Sequence, residues 1–368
     1  MLQRLFAVLV LAVAPLAAAQ PNRPQEPQPP FPYAGEEVRF DSAQEGITLA
    51  GTITVPDAEE FGEGPFPGVI LVTGSGGQDR DETLLGHKPF KLIADTLTRR
   101  GIVVLRYDDR GIAGSAVEDI TTIQNDTSFD LAKDAEGALA RLRAHEKVDR
   151  VGLIGHSEGG TIAAILMGQG KLDGPAVLLA GPTVRGSTIL SGQMIAGMTA
   201  AGMPAEITDE LVPLAEKLTE KAAAGAERDE IIDVLVEMGM VQTQGAMTEE
   251  VIRNAVTPQS AMFVNPWMRA FMNYDPRGDL AKATAPVLAL FGGLDTQVLA
   301  RDNAPTAEML LEGWPAGSRV EVIEKANHLF QEAKTGSGLE YEQIEQTMMP
   351  EVLELMGDWL VGVFEDAD

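Results

Sequence analysis

Five residues constrain this chain more than any others: Gly155-His156-Ser157-Glu158-Gly159, a G-x-S-x-G pentapeptide. An apolar run at residues 151–154 ends directly before it, and a helical pattern at residues 161–167 follows it. The pentapeptide has mechanical content only in that setting, where a strand turns sharply into a helix. The turn is tight enough to force the central residue into a strained conformation. Glycines two positions away on each side let strand and helix approach. Ser157 is then lifted above the carboxyl edge of the strand. The amide of Glu158 points to where a negative oxygen would develop, and the helix adds its positive end.

The rest of the chain supplies a sheet for that turn. Residues 37–40 and 47–55 alternate apolar and polar side chains around a Gln44-Glu45-Gly46 turn, which predicts an antiparallel hairpin. Strand patterns follow at residues 69–72, 102–106, 151–154 and 176–179. Helical patterns lie between them at residues 90–100, 129–144 and 161–167. Strands alternating with helices predict an α/β fold with a mainly parallel, doubly wound sheet. The alternation stops at residue 187, and residues 187–273 read as helices alone, holding nine of the fifteen methionines. Strands resume at residues 287–291 and 320–323, and a long helical stretch covers residues 344–364, with Pro350 inside it. The expected organisation is a core of residues 35–186 and 274–368 interrupted by a helical cap insertion at 187–273.

Residues 1–19 resemble a signal peptide: Arg4, an apolar run from Leu5, then Ala17-Ala18-Ala19 before Gln20. The run is too short for a comfortable membrane span. A periplasmic or extracellular protein cleaved after Ala19 is expected, with no stable membrane insertion afterwards; the rival reading is an uncleaved N-terminal anchor. Residues 20–34 are rich in proline and glutamine and predict an extended linker outside the fold. Against 28 basic residues stand 55 acidic ones, a formal net charge of −27. That balance repels nucleic acid and anionic membranes. The chain has no cysteine, which excludes a thiol nucleophile, disulfides and Cys-ligated metals. It has four histidines and no H-E-x-x-H pair, so no metal is expected, and a serine nucleophile requires no organic cofactor.

A serine hydroxyl needs a base to become a nucleophile. Behind a strand–turn–helix serine, the acid and then the histidine follow in chain order. Of the four histidines, only His328 lies after Ser157. It sits in the loop Lys325-Ala326-Asn327-His328, just past a predicted strand. His156 is fixed in the turn and faces another way. His145 is placed at an exposed helix end, and His87 near the mouth of the site. The acid is expected at a strand end between serine and histidine. Phe291-Gly292-Gly293-Leu294-Asp295 supplies Asp295, with Asp275, Asp279 and Asp302 as rivals. Its role would be to fix the tautomer of His328 and stabilise the imidazolium.

A second oxyanion donor is expected from the glycine-rich loop Thr73-Gly74-Ser75-Gly76-Gly77-Gln78-Asp79-Arg80-Asp81, with the Ser75 amide first and Gly76 as the alternative. That loop lacks the G-x-x-x-x-G-K of a phosphate loop, and its acidic residues would repel phosphate. The charges of Arg106-Tyr107-Asp108-Asp109-Arg110-Gly111 and of Asp79, Arg80 and Asp81 are read as a lattice fixing the loops. Gly74, Gly76, His156, Met194 and Trp267 are candidate substrate contacts.

Together, Gly74-Ser75-Gly76-Gly77-Gln78-Asp79-Arg80-Asp81, Arg106-Tyr107-Asp108-Asp109-Arg110-Gly111, Gly155-His156-Ser157-Glu158-Gly159-Gly160 and Asn327-His328-Leu329-Phe330-Gln331 resemble bacterial α/β-hydrolases of the EstD-like esterase group. That group is related to serine aminopeptidase S33 and monoglyceride-lipase-like hydrolases. The resemblance spans roughly residues 36–364. It implies an α/β-hydrolase fold, a carboxylesterase acting on short acyl esters, and the triad Ser157, Asp295 and His328. Many members of the wider superfamily carry His-Gly where this chain has Thr73-Gly74, which leaves Ser75 and Gly76 both open as donors. A serine peptidase, a thioesterase or an acyltransferase would use the same triad, while a binding protein would retain the fold without the chemistry. Epoxide hydrolases and dehalogenases of this fold need an aspartate nucleophile, against which Ser157 argues.

Overall fold

The computed structural model describes residues 22–366. The predicted signal segment lies outside these residues. The chain opens with β1 (Ala34–Asp41) and β2 (Thr48–Val55), a short α1 (Ala58–Phe61), β3 (Phe66–Val72), α2 (Pro89–Thr98), β4 (Val103–Tyr107) and α3 (Ser128–Arg143). Then come β5 (Val148–His156), α4 (Glu158–Gly168) and β6 (Ala176–Leu179). Six helices interrupt the alternation: α5 (Gly186–Ala200), α6 (Ala205–Ala223), α7 (Arg228–Thr243), α8 (Glu249–Val256), α9 (Ser260–Phe263) and α10 (Pro266–Asn273). The chain closes with α11 (Arg277–Leu280), β7 (Val287–Gly292), α12 (Ala300–Leu311), β8 (Arg319–Ile323) and α13 (Pro350–Glu365).

The eight strands form one sheet in the order β1-β2-β4-β3-β5-β6-β7-β8. β2 runs antiparallel to both β1 and β4, and every later pairing is parallel. The expected hairpin and parallel sheet are both present. The central strands are apolar on both faces because helices cover both: β3, β4, β6 and β7 carry near-continuous Val, Leu, Ile and Ala runs, almost wholly buried. β8, at the edge, is half-exposed. Helices α5–α10 build a second core of their own, in which Leu211, Leu218, Ile231, Val234 and Met238 are buried. That core is why the sequence between residues 187 and 273 holds so much Leu, Ile, Val and Met without any strand.

Three expectations change. Residues 22–28 are not a free linker. The Arg23 guanidinium donates to the carbonyls of Ile344 at 2.8 Å and Leu85 at 2.7 Å, and Gln25 accepts from the amides of Thr347 and Met348 and donates to the Met348 carbonyl. Glu26 pairs with Lys88 and Lys91. Composition predicted no apolar anchor here, and none is used; the anchoring is polar. The last helix starts at Pro350 rather than at residue 344, with Pro350 in its first turn. Proline has no N–H to give a helix interior, and it pushes Met349 to extended backbone. His145 is buried, not exposed: its Nε2 faces Glu36 at 3.3 Å, and its Nδ1 accepts from the amide of Lys147.

The charged runs are a lattice. Arg80 bridges Asp108 and Glu37, Arg106 pairs with Asp81, and Arg110 holds Asp134 through Nε and Nη2 at 2.7 Å each. The side chains of Arg110 and Asp134 are both 3% exposed. Removing one member of such a pair strands the other charge in the interior. Arg110→Met should therefore cost about 3–5 kcal/mol. Arg110→Met combined with Asp134→Leu should recover most of that loss, read from denaturant midpoints. Equal midpoints for wild type and Arg110→Met would show that the pair holds nothing in place.

Candidate active site

The loops that follow β3, β5, β6, β7 and β8 meet above the carboxyl ends of the strands, where open parallel sheets bind ligands. Ser157 is the whole connection between β5 and α4. Its φ of 53° and ψ of −115° lie outside the helical and extended regions. Its amide donates to the Leu179 carbonyl at 2.8 Å, which ties the turn to β6. A Cβ on Gly155 would collide with the Gly159 carbonyl, and one on Gly159 with the Val72 carbonyl. Both positions therefore require glycine. The amide of Glu158 opens α4, where first-turn N–H groups lack helical acceptors.

His328 and Asp295 face each other from the loops after β8 and β7. His328 Nδ1 lies 2.8 Å from Asp295 Oδ2. The other carboxylate oxygen accepts from the amides of Gln297 at 2.7 Å and Val298 at 3.0 Å, so Asp295 is fixed on both sides. The Asp295 side chain is fully buried. Asn327 shapes the histidine loop, its Oδ1 accepting from the amides of Leu329 and Gln331. With Nδ1 committed to a carboxylate, Nε2 is the ring nitrogen left for a second partner. Ser157 and His328 line the same cavity.

That cavity measures about 340 Å³ and lies between the sheet and the cap. Its wall is mostly apolar, from Ile189, Leu190, Met268, Phe271, Val298 and Leu329; Gln78, Gln193 and Gln297 add polar groups. Gly74 and Ser75 line it; Gly76, at φ 94°, does not. Trp267 lines it as well. Its indole stacks on Phe271 with ring centres 5.8 Å apart and donates to Glu158 Oε1 at 2.7 Å.

The comparisons with known proteins bear on this constellation. A family model described as serine aminopeptidase, S33 matches residues 88–332. The chain belongs to that family. The S33 match takes in Ser157, Asp295 and His328 and leaves the Gly74–Ser75 loop outside it. A curated relative, the esterase EstD of Thermotoga maritima, is 27% identical over 285 residues. The alignment covers 76% of this chain, and the chain spans only 58% of that esterase's length. Among solved structures, a Pyrococcus furiosus esterase aligns with a TM-score of 0.53 at 15% identity, over 94% of this chain and 98% of its own. A proline iminopeptidase from Mycobacterium smegmatis aligns with a TM-score of 0.51 at 17% identity, over 90% of this chain and 100% of its own. At such identities the structures establish the fold alone, which is that of the α/β-hydrolases.

Within this S33 fold, some expected contacts fall elsewhere. Met194 packs against the cap's own core and is not part of the cavity wall. His156 borders the cavity, but both ring nitrogens are engaged, with Glu82 and with the His328 carbonyl. No nitrogen of that ring is left for a ligand. His87 is 1% exposed and joins the Tyr341 carbonyl to Thr347, away from the cavity mouth. Of the rival acids, Asp275 pairs with Arg277, and Asp279 accepts from Tyr274 and Lys282. Among the described residues, no group of three or more His, Asp or Glu could hold a metal ion.

Two acids at the site were not singled out from the sequence. Glu82 lines the cavity in left-handed backbone at φ 53°. Glu158 was valued for its amide, but its carboxyl is buried too. Burial pushes that carboxyl above the usual range, against hydrogen bonds from Ser128 and Trp267. Oε1 accepts from both Ser128 and Trp267, and Oε2 has no partner. The indole therefore ties the cap to the residue beside Ser157. Trp267→Phe keeps the stacking and removes this bond to a buried oxygen. It should lower stability by about 1–3 kcal/mol. An unchanged denaturation midpoint would show that the indole N–H contributes nothing to holding the cap.

Proposed function

We propose that this protein is an exported serine carboxylesterase that hydrolyses short-chain acyl esters through an acyl-enzyme intermediate. The observation that carries the proposal is the strained Ser157 sharing one cavity with a His328 already paired to a buried Asp295. His328 Nε2 takes the proton of Ser157 as Oγ attacks the ester carbonyl. The amides of Glu158 and Ser75 hold the oxyanion, Ser75 being preferred to Gly76 because it lines the cavity. The imidazolium, stabilised by Asp295, then gives its proton to the leaving alcohol. Water repeats the sequence on the acyl-enzyme: His328 takes one of its protons, the hydroxyl adds to the acyl carbon, and Ser157 leaves with the proton returned.

The size of the cavity supports a short acyl chain. At about 340 Å³ it is at the small end of ligand pockets, and its wall is apolar next to the nucleophile. The sequence relative EstD carries the name esterase, which favours an ester over a peptide here. Export rests on residues 1–19, and the mature chain would begin at Gln20.

Two measurements test this reading. Across a series of p-nitrophenyl esters, kcat/KM should peak at short acyl chains, and peptide anilides should turn over far more slowly. Ser157→Ala should lower kcat by on the order of 10⁴-fold or more, as members of a triad act as a unit. Residual activity near that of wild type, or a preference for peptide anilides, would contradict the proposal.

A further inference from the structure

We propose that Glu82 and His156 form a buried ion pair that positions the oxyanion loop and the base loop around Ser157. Three hydrogen bonds carry the inference. Glu82 Oε1 accepts from the amide of Gly74 at 2.9 Å and from His156 Nδ1 at 2.8 Å. His156 Nε2 donates to the main-chain carbonyl of His328 at 3.0 Å. Their ends fall on three separate segments: the loop leading into the Ser75 amide, the end of β5 just before the nucleophile, and the loop that carries the base. The proposal rests on the reading of Ser157, His328 and Asp295 as a triad.

The chemistry of the partners sets the protonation. A carboxylate and a carbonyl only accept, so the imidazole between them must donate from both nitrogens. His156 is then an imidazolium, and with ionised Glu82 the pair is neutral overall. It adds no net charge 4.9 Å from the ring of His328. Burial opposes a charged His156, but Glu82 outweighs it, with help from the His328 carbonyl and Asp295, and the ring is held above the ordinary imidazole range. The titratable groups facing His156 are thus Glu82, Asp295 and His328. Both side chains of the pair are under 10% exposed. Such a buried pair adds little stability beyond what apolar packing would give. What sets this one apart is where its bonds end. Glu82 also reaches its place from left-handed backbone, a conformation costly for a residue with a Cβ.

The test combines spectroscopy with kinetics. In protein labelled with ¹⁵N-histidine, four imidazoles need to be resolved. At neutral pH the ring of His156, assigned through His156→Gln, should carry protons on both nitrogens. It should do so in Ser157→Ala as well, so this readout is independent of the triad. Glu82→Gln should leave the ring neutral. It should also lower kcat on a short acyl ester by about 10²-fold through misplacement of the reacting groups, with KM little changed. If Glu82→Gln does not fold, His156→Gln, which retains one donor, should show the same kcat-selective loss to a smaller degree. A neutral His156 in the wild type, or wild-type kcat in the folded variant, overturns the proposal. Full activity in Ser157→Ala would instead overturn the triad on which it rests.

Discussion

Helix α4 begins one residue after β5 ends, and the backbone around that single residue is packed as closely as main chain can be. Gly155 faces the carbonyl of Gly159, Gly159 faces that of Val72, and Gly160 faces the backbone of Gly181. No side chain fits at any of these contacts. Ser157 is held in its strained conformation because strand, helix and neighbouring strands all press on the turn. The other site residues are placed relative to it by the sheet. Asp295 follows β7, His328 follows β8, and Gly74 follows β3, so parallel pairing brings three distant stretches of chain to one edge.

Much of this was legible in the sequence, and for a physical reason. Strands buried on both faces read as unbroken apolar runs, and the glycines of the turn mark the close approach directly. With one histidine after Ser157, chain order left little choice of base. Less legible were residues whose setting comes from tertiary contact. Glu82 directly follows Asp79-Arg80-Asp81, a run read from the sequence as part of the charged lattice. Its neighbours behave as part of the charged lattice; Glu82 alone turns inward, and nothing local announces the positive φ that does it. His145 and His87 were misplaced for the same reason, since their burial depends on Glu36, Tyr341 and Thr347, far off in sequence. The stretch around Arg23 and Gln25 has no apolar anchor, so composition could not reveal that main-chain carbonyls capture it.

The cap divides between packing and function. Its methionines mostly fill its own core, and Met194 is one of them. What reaches the cavity comes from α5 and α10, chiefly Ile189, Leu190, Trp267 and Phe271. Because Trp267 also binds Glu158, the cap that shapes the cavity is tied to the residue whose amide is assigned to the oxyanion. Changes in α10 are therefore expected to affect chemistry as well as acyl-chain preference.

The central claim is that Ser157 is the nucleophile. Its most direct test is the site of covalent modification by a fluorophosphonate, read by mass spectrometry of the digested protein. The account predicts one adduct, on Ser157, formed slowly or not at all when His328 is replaced by Gln. An adduct on another residue, or none with folded wild-type protein, would contradict it.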